Sequence, residues 1–297
     1  VGALKGGRLN GNPVLHFRQT RSGSGMLNAN HAQGALATYR AAEKALGLAK
    51  TNGVGAVGVF NSSHFGAAGA YALQICKAGM IGLVFGNSDA FVRLHSGSAR
   101  FHGTNPIAMA TPVGDGDPWL LDMATSAVPF NRVQHFAATG RSLPAGVASD
   151  AQGRETLNPS TIEMLAPLGA GFGFKGAGLA GMAQILAAAL TGGGLDHELL
   201  PMEGPDFETP RALGAFVLAI DPDAFVGAQD MAETMARYVV ALRASPAMKG
   251  AAVMAPGDRE WIEARKRQTE GVPVDLETAT ALDILAERFG LQSPFSD

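Results

Sequence analysis

Residues 161–176, Thr161-Ile-Glu-Met-Leu-Ala-Pro-Leu-Gly-Ala-Gly-Phe-Gly-Phe-Lys-Gly176, decide between two kinds of fold. Gly171, Gly173 and Gly176 match the G-x-G-x-x-G loop of a dinucleotide-binding β-α-β unit. Asp196 stands about 20 residues further on, where an acid would meet a ribose. The context argues otherwise. Residues 161–168 contain Pro167 and do not read as a strand, the stretch after the loop reads as helix without a returning strand, and Lys175 occupies the loop. A Rossmann domain is not expected. A glycine-rich loop that opens a helix still offers N–H groups to a phosphate, and Lys175 adds positive charge there.

Upstream of this loop, short β-rich runs alternate with helices. Strands are expected over 14–18, 55–60, 81–85, 107–111 and 119–122. Apolar spacing predicts helices over 33–50 and 67–78, the second stopped by Gly79. Residues 139–159, rich in Gly, Pro, Ser and Asp, read as loop or hairpin. Downstream comes a helix over 178–190, apolar nearly all round and therefore expected to be buried. A late strand over 213–220 and amphipathic helices over 229–244, 258–269 and 276–289 complete the chain. Mixed sheet first and helices later is the pattern of an α+β protein.

The bulk numbers bound the function. A chain of 297 residues buries one large core or two modest ones, and 46% hydrophobic against 16% charged residues is a globular profile. A net charge of −3 gives no electrostatic reason to expect nucleic acid or an anionic membrane as partner. The basic run Arg265-Lys-Arg267 is flanked by Glu260, Glu263 and Glu270 and reads as a solvated helix face. The single cysteine, Cys76, excludes an internal disulfide, suits a reducing compartment, and lies in an apolar helical stretch as a small hydrophobe. No apolar run reaches the roughly 18 to 20 residues of a membrane span. The start, Val-Gly-Ala-Leu-Lys-Gly-Gly, is no signal peptide and has no methionine, so the expectation is a cytoplasmic protein whose chain starts within a longer one.

Chemistry is sparse outside one segment. Ser62-Ser63-His64 sets hydroxyls beside an imidazole, but neighbours at a strand end point in different directions, and no G-x-S-x-G elbow exists. The seven histidines (16, 31, 64, 95, 102, 135 and 197) are dispersed without metal-ligand spacing, and no metal is expected. His64 stands out by position. It follows the apolar run 57–60 and precedes Gly66-Ala67-Ala68 at the start of a helix, where N–H groups are free and side chains are small. A structural histidine bonded to backbone is the competing reading.

Six segments together resemble the malate/L-lactate dehydrogenase family, which includes L-sulfolactate, ureidoglycolate and diketogulonate dehydrogenases and the cyclic-imine reductases. They are Asn61-Ser-Ser-His-Phe-Gly-Ala-Ala68, Gly86-Asn-Ser88, Gly103-Thr-Asn-Pro106, Leu121-Asp-Met-Ala-Thr-Ser126, Phe174-Lys-Gly176 with Gly178-Leu179, and Ala255-Pro-Gly-Asp258. They occur in the family's order across almost the whole chain. The resemblance implies the L-sulfolactate dehydrogenase-like α+β fold, with a mixed-sheet cofactor-binding domain over 21–175 and a mainly helical domain from 1–20 and 176–297. It also implies a homodimer and NAD or NADP bound outside any Rossmann unit. The implied activity is interconversion of a small 2-hydroxy acid, such as malate, lactate or sulfolactate, with its 2-oxo acid by hydride transfer. The alternatives are a cyclic-imine or diketo-acid reductase, or a catalytically incomplete cofactor-binding paralogue.

By the same resemblance His64 is the proton acceptor. His64, Phe65, Gly66, Ala67, Ala68, Ser88, Asp122, Met123, Ala124, Gly173, Phe174, Lys175, Met254, Ala255, Pro256, Gly257 and Asp258 contact the cofactor, and Thr104 contacts substrate. An imidazole titrating near 6.5 suits the alcohol proton. A carboxylate substrate wants an arginine fork, for which Arg93, Arg100 and Arg132 are candidates. The sequence departs from the family twice. A Ser-His-Gly motif followed by arginine, which family members carry near their start, has no counterpart here, so either a preceding segment carries it or part of the site has been lost. Where imine reductases have an aspartate, this chain has Asn131-Arg132, which argues against an imine and for an additional acidic group on the substrate.

Overall fold

Residues 54–62 and 213–220 carry branched and aromatic side chains separated by Gly and Ala, the composition of strands covered on both faces. In the computed structural model, which describes residues 1–295, both become long strands at the centre of a seven-stranded sheet. The chain opens with a short helix, α1 (Gly2–Gly6), and a hairpin of β1 (His16–Arg21) and β2 (Ser24–Asn28). Next are α2 (Gly34–Asn52), β3 (Val54–Ser62), α3 (Gly69–Cys76) and β4 (Ile81–Gly86). The middle holds β5 (Val92–Arg93), β6 (Arg100–His102), β7 (Ile107–Thr111), β8 (Trp119–Met123), α4 (Phe130–Ala138), β9 (Ala148–Ser149) and β10 (Met164–Leu165). α5 (Phe174–Gln184) runs into a π-helical turn, Ile185–Ala189. Then come β11 (Leu213–Ile220), α6 (Ala228–Arg243), α7 (Asp258–Glu270) and α8 (Leu276–Phe289).

The large sheet has the order β1-β2-β3-β11-β4-β7-β8, and β11 is antiparallel to both of its neighbours, with Val217 opposite Val57 and Val84. β2 and β3 are parallel. A small sheet of order β6-β5-β10-β9 lies apart from it. α5 therefore leaves a strand of the small sheet and leads to a strand of the large one, so the glycine loop belongs to no β-α-β unit. The α+β expectation holds, without a Rossmann domain. The large sheet also takes in β1 and β11, from either side of residues 21–175.

Glycine sets the layers. A Cβ on Gly55 would strike the Ala45 carbonyl of α2, and one on Gly82 would lie 2.7 Å from the Ala72 carbonyl oxygen of α3. Gly58, on the other face of β3 by strand alternation, looks at Thr191 beyond the π turn. α2 and α3 thus cover one face and the π turn covers the other. Leu27, Val57, Val59, Tyr71, Ile75, Val84 and Val217 are buried between them. A second cluster, Val92, Val133, Leu143, Ala148 and Leu165, sits under the small sheet. Residues Val1–Pro256 form one unit, and α7 and α8 belong to a second that starts at Gly257. On α7 the basic run is solvated, with Arg267 donating to Glu263 over 2.8 Å.

Two expectations are corrected. Residues 161–168 do contain a strand, the two-residue β10, which pairs with β5 and β9. The helix after the glycine loop is not buried all round. Ala180, Ala183 and Ala187 face inward, while Met182 (40% exposed), Ile185 (61%) and Leu190 (59%) face solvent. A stripe of alanines lets one side approach the sheet closely, so the larger side chains point the other way. Among the described residues no helix is long and apolar enough to cross a membrane. Cys76 is buried, and burial pushes its thiol up to about 11, as expected of a structural cysteine. A Cβ on Gly214 would overlap the Ala187 carbonyl oxygen, so Gly214→Ala should destabilise the protein by about 1–3 kcal/mol or more, read from urea unfolding midpoints.

Candidate active site

The loop 63–68 is held at the end of β3 by its neighbours' backbones. Ser63 Oγ donates to Ala32 O over 3.0 Å, and His31 N donates to Asn61 O over 2.7 Å. The Phe65 ring lies where a Cβ on Gly86 would sit, so the glycine ending β4 makes room for it. Tyr71, on the first turns of α3, packs edge-on to Phe65 and donates its hydroxyl to the Phe65 carbonyl. Burial raises that hydroxyl to about 12, which keeps it protonated as a donor. Gly66 has φ +77 and no atom within 4 Å of where its Cβ would be, so the space in front of it is open.

Asp122, near the end of β8, brings a second segment to this loop. Its Oδ2 accepts the Gly69 N–H over 2.9 Å at the first turn of α3, where the helix dipole favours a negative charge. Three residues on, Thr125 N and Oγ1 both donate to Thr104 O, over 2.9 and 3.1 Å. Thr104 N donates to Ser88 Oγ over 3.1 Å, and Ser88 N donates to Asn105 Oδ1 over 3.3 Å. On the other side, Leu168 N donates to Thr125 O over 2.9 Å, and Gly176 N to Leu168 O over 3.1 Å. Residues 122–125 are therefore the junction of the 64–69 loop, the 86–88 strand end, the 103–106 turn and the start of α5. Leu120 N on the same strand donates to Pro256 O over 3.1 Å, which ties in the segment 254–256.

The remaining expected residues fall at various distances from that junction. Lys175 is exposed, its ammonium 5.5 Å from the centre of the Phe172 ring, and Gly173 and Phe174 adjoin His95. Ala255 is buried with Val113 and Val239, Met254 is exposed, and Gly257 and Asp258 open the second unit as the start of α7. Met123 and Ala124 are half-buried. Asn131 and Arg132 are exposed on α4. Of the other candidate arginines, Arg100 pairs with Glu163 over 3.0 Å and Arg93 donates to Ser149 Oγ over 2.9 Å, both on the small sheet. Asp196 is no ribose acid. Fully buried, its Oδ2 accepts from Gly103 N (3.0 Å) and Asn105 Nδ2 (2.7 Å) and meets His102 Nδ1 (3.2 Å), which fixes the 103–106 turn. Hollows of about 250 Å³ beside Glu263–Pro273 and about 340 Å³ between Ala137 and Ser160 are lined by none of the expected site residues.

His64 is the titratable group at the mouth of the loop. Gly66 N donates to its Nδ1 over 3.2 Å, so the neutral ring carries its hydrogen on Nε2. The residue is exposed at the surface, but the surrounding protein strips enough hydration to lower its pKa from the ordinary 6.5. The positive charge of Arg211 lowers it further, and Asp89 opposes this. Sequence reasoning missed both. Neither sits in a motif, and only strand pairing brings them here.

The chemistry of these groups fits a pyridine dinucleotide. Open space over Gly66 beside the exposed Ala67 suits a flat ring, and open space over Gly171 beside the exposed ammonium of Lys175 suits a phosphate. A profile of malate/L-lactate dehydrogenases matches residues 1–283. The chain belongs to the malate/L-lactate dehydrogenase family. L-sulfolactate dehydrogenase of Methanothermobacter thermautotrophicus is 31% identical over 277 residues, covering 93% of this chain and 78% of that protein. Ureidoglycolate dehydrogenase (NAD(+)) of Escherichia coli is 32% identical over 272 residues, 91% of this chain and 76% of that one. The crystal structure of malate dehydrogenase from Entamoeba histolytica superposes with a TM-score of 0.92 at 25% identity, over 98% of this chain and 84% of that chain.

Two outcomes test this geometry. Asp122→Ala removes an acceptor from the first turn of α3 and should cost about 1 kcal/mol in urea unfolding. Because folding lowers the His64 pKa, the unfolded chain binds more protons as pH falls through 6.5, so acid favours unfolding until the folded-state value is passed. Urea midpoints of the native protein should therefore fall between pH 7 and 5 by more than those of His64→Gln.

Proposed function

We propose that this protein interconverts a small 2-hydroxy acid of the malate, lactate or sulfolactate type with its 2-oxo acid, with NAD or NADP as hydride carrier and His64 as proton carrier. Family membership makes the chain an oxidoreductase of hydroxy acids. The observation that carries the finer reading is the His64–Ala68 loop, an imidazole beside open space and small residues, bonded to Asp122 through Gly69. When bound there, a nicotinamide ring supplies the hydride acceptor or donor. The protein's own part is to hold the acid, exclude misplacement and move one proton.

That proton travels at His64. Its acceptor lone pair is at Nδ1, shared with Gly66 N–H over a long 3.2 Å contact that a substrate hydroxyl can displace. Kept neutral near pH 7, the ring takes the alcohol proton at Nδ1 as the C–H bond gives up its hydride, and returns it to the oxygen in the reverse direction. Thr104, half-buried between Ser88 and Thr125, is proposed to touch substrate. Ser88, Asp122, Met123, Ala124, Gly173, Phe174 and Lys175 are proposed to line the cofactor. Asn131 and Arg132 extend the site toward a second acidic group. A cytoplasmic homodimer completes the proposal, with the second copy covering apolar residues such as Ile185 and Leu190 that α5 and its π turn leave exposed.

A panel of 2-oxo acids and cyclic imines, each with NADH and NADPH, tests the reading by absorbance at the reduced-nicotinamide band. Turnover of an oxo acid supports it. Turnover of imines alone, or of nothing, overturns it. His64→Ala should lower turnover by roughly two to four orders of magnitude, whereas a loss confined to cofactor affinity would make His64 a binding residue.

A further inference from the structure

Three adjacent strands bring charge to the His64 loop from outside every family motif. Leu213, the first residue of β11, pairs with Ser62 near the end of β3, and Ala215 pairs with Gly86 at the end of β4. His64 is two residues beyond Ser62, Arg211 two before Leu213, and Asp89 three beyond Gly86, so all three leave the sheet at the same end of its strands. Arg211 is only 7% exposed, and its guanidinium forms an ion pair with Asp89. It also donates Nε to Leu200 O over 2.8 Å, while Asp89 Oδ2 accepts Met202 N over 3.2 Å. Behind them lies Arg8, also buried, which donates to the carbonyls of Pro201, Met202 and Asp206 and stacks on Phe207. A buried arginine with one carboxylate and otherwise only carbonyl partners cannot move or shed its charge.

We infer that the Asp89–Arg211 pair is a positioning device for His64, fixing two opposed charges beside the loop, the guanidinium acting with the protein's own desolvation of the ring to favour the proton-accepting form and the carboxylate acting against it. This rests on the proposed role of His64. Other ionisable groups around the loop do not supply these charges. Asp122 is engaged with Gly69 N–H on the α3 side, Tyr71 is a neutral donor to Phe65 O, and His31 lies in the turn before α2. Arg211 and Asp89 act on the ring in opposite senses, and the arginine is the stronger.

The two members of the pair should therefore be separable by sign. The His64 ring titration is followed by NMR in the free protein, assigned by its loss in His64→Gln, and the acid limb of kcat/KM for alcohol oxidation is measured beside it. In Arg211→Met the His64 midpoint should move up, and in Asp89→Asn it should move down. The double variant, which leaves neither member of the pair buried without the other and guards against misfolding of either single one, should fall between them. Midpoints that stay put, or that move together, overturn the inference whatever the activity. Midpoints that move as expected while the acid limb does not move with them uphold the pair's effect on the ring and remove His64 from the proton path.

Discussion

The insertion of Leu213–Ile220 between β3 and β4 is the constraint that creates the site. An antiparallel strand hydrogen-bonded on both edges fixes the register of its neighbours, because a slip of one residue would turn Val57, Val84 and Val217 to the wrong face. With that register set, the ends of β3 and β4 and the start of β11 arrive side by side at one end of the sheet's strands. His64, Asp89 and Arg211 are brought together by pairing, although they are far apart in sequence.

A second constraint acts through residues 122–125. One short stretch at the end of β8 bonds forward to α3 through Asp122 and sideways to the 103–106 turn and the start of α5 through Thr125. Small residues do the rest. Gly86 admits the Phe65 ring, Gly69 admits Asp122, and the alanines of α2 allow β3 to approach the helix backbone. The buried Asp196, bonded to the same turn, holds Gly103 and Asn105 in place.

Most of the large sheet and its helices was legible in the sequence. Their strands are five to nine residues of β-branched and small apolar side chains, and the helix over 34–52 has its alanines and leucines at helical spacing in plain view. The small sheet was not. Its strands are two or three residues long, too short to show a period, and exist only because Val92, Leu165 and Ala148 find one another across the chain. The helix over 130–138 was hidden by Pro129 and the mixed run after it. The exposed side of α5 could not be read because hydropathy does not say which of two apolar faces meets the core. In the site, the loop at His64 could be found from its motif, whereas Asp89 and Arg211 could not, since an ordinary aspartate and arginine become informative only once strand register is known.

The late arrival of β11 has a consequence for biosynthesis. A nascent chain emerging from the ribosome has β3 and β4 complete long before residue 213 appears, and until then each carries an unpaired edge of N–H and C=O groups. Those two edges are the natural partners of each other and of any second nascent chain on the same message. A sheet closed without its middle strand is thus a trap open to this topology until α5 and the segment after it have delivered β11.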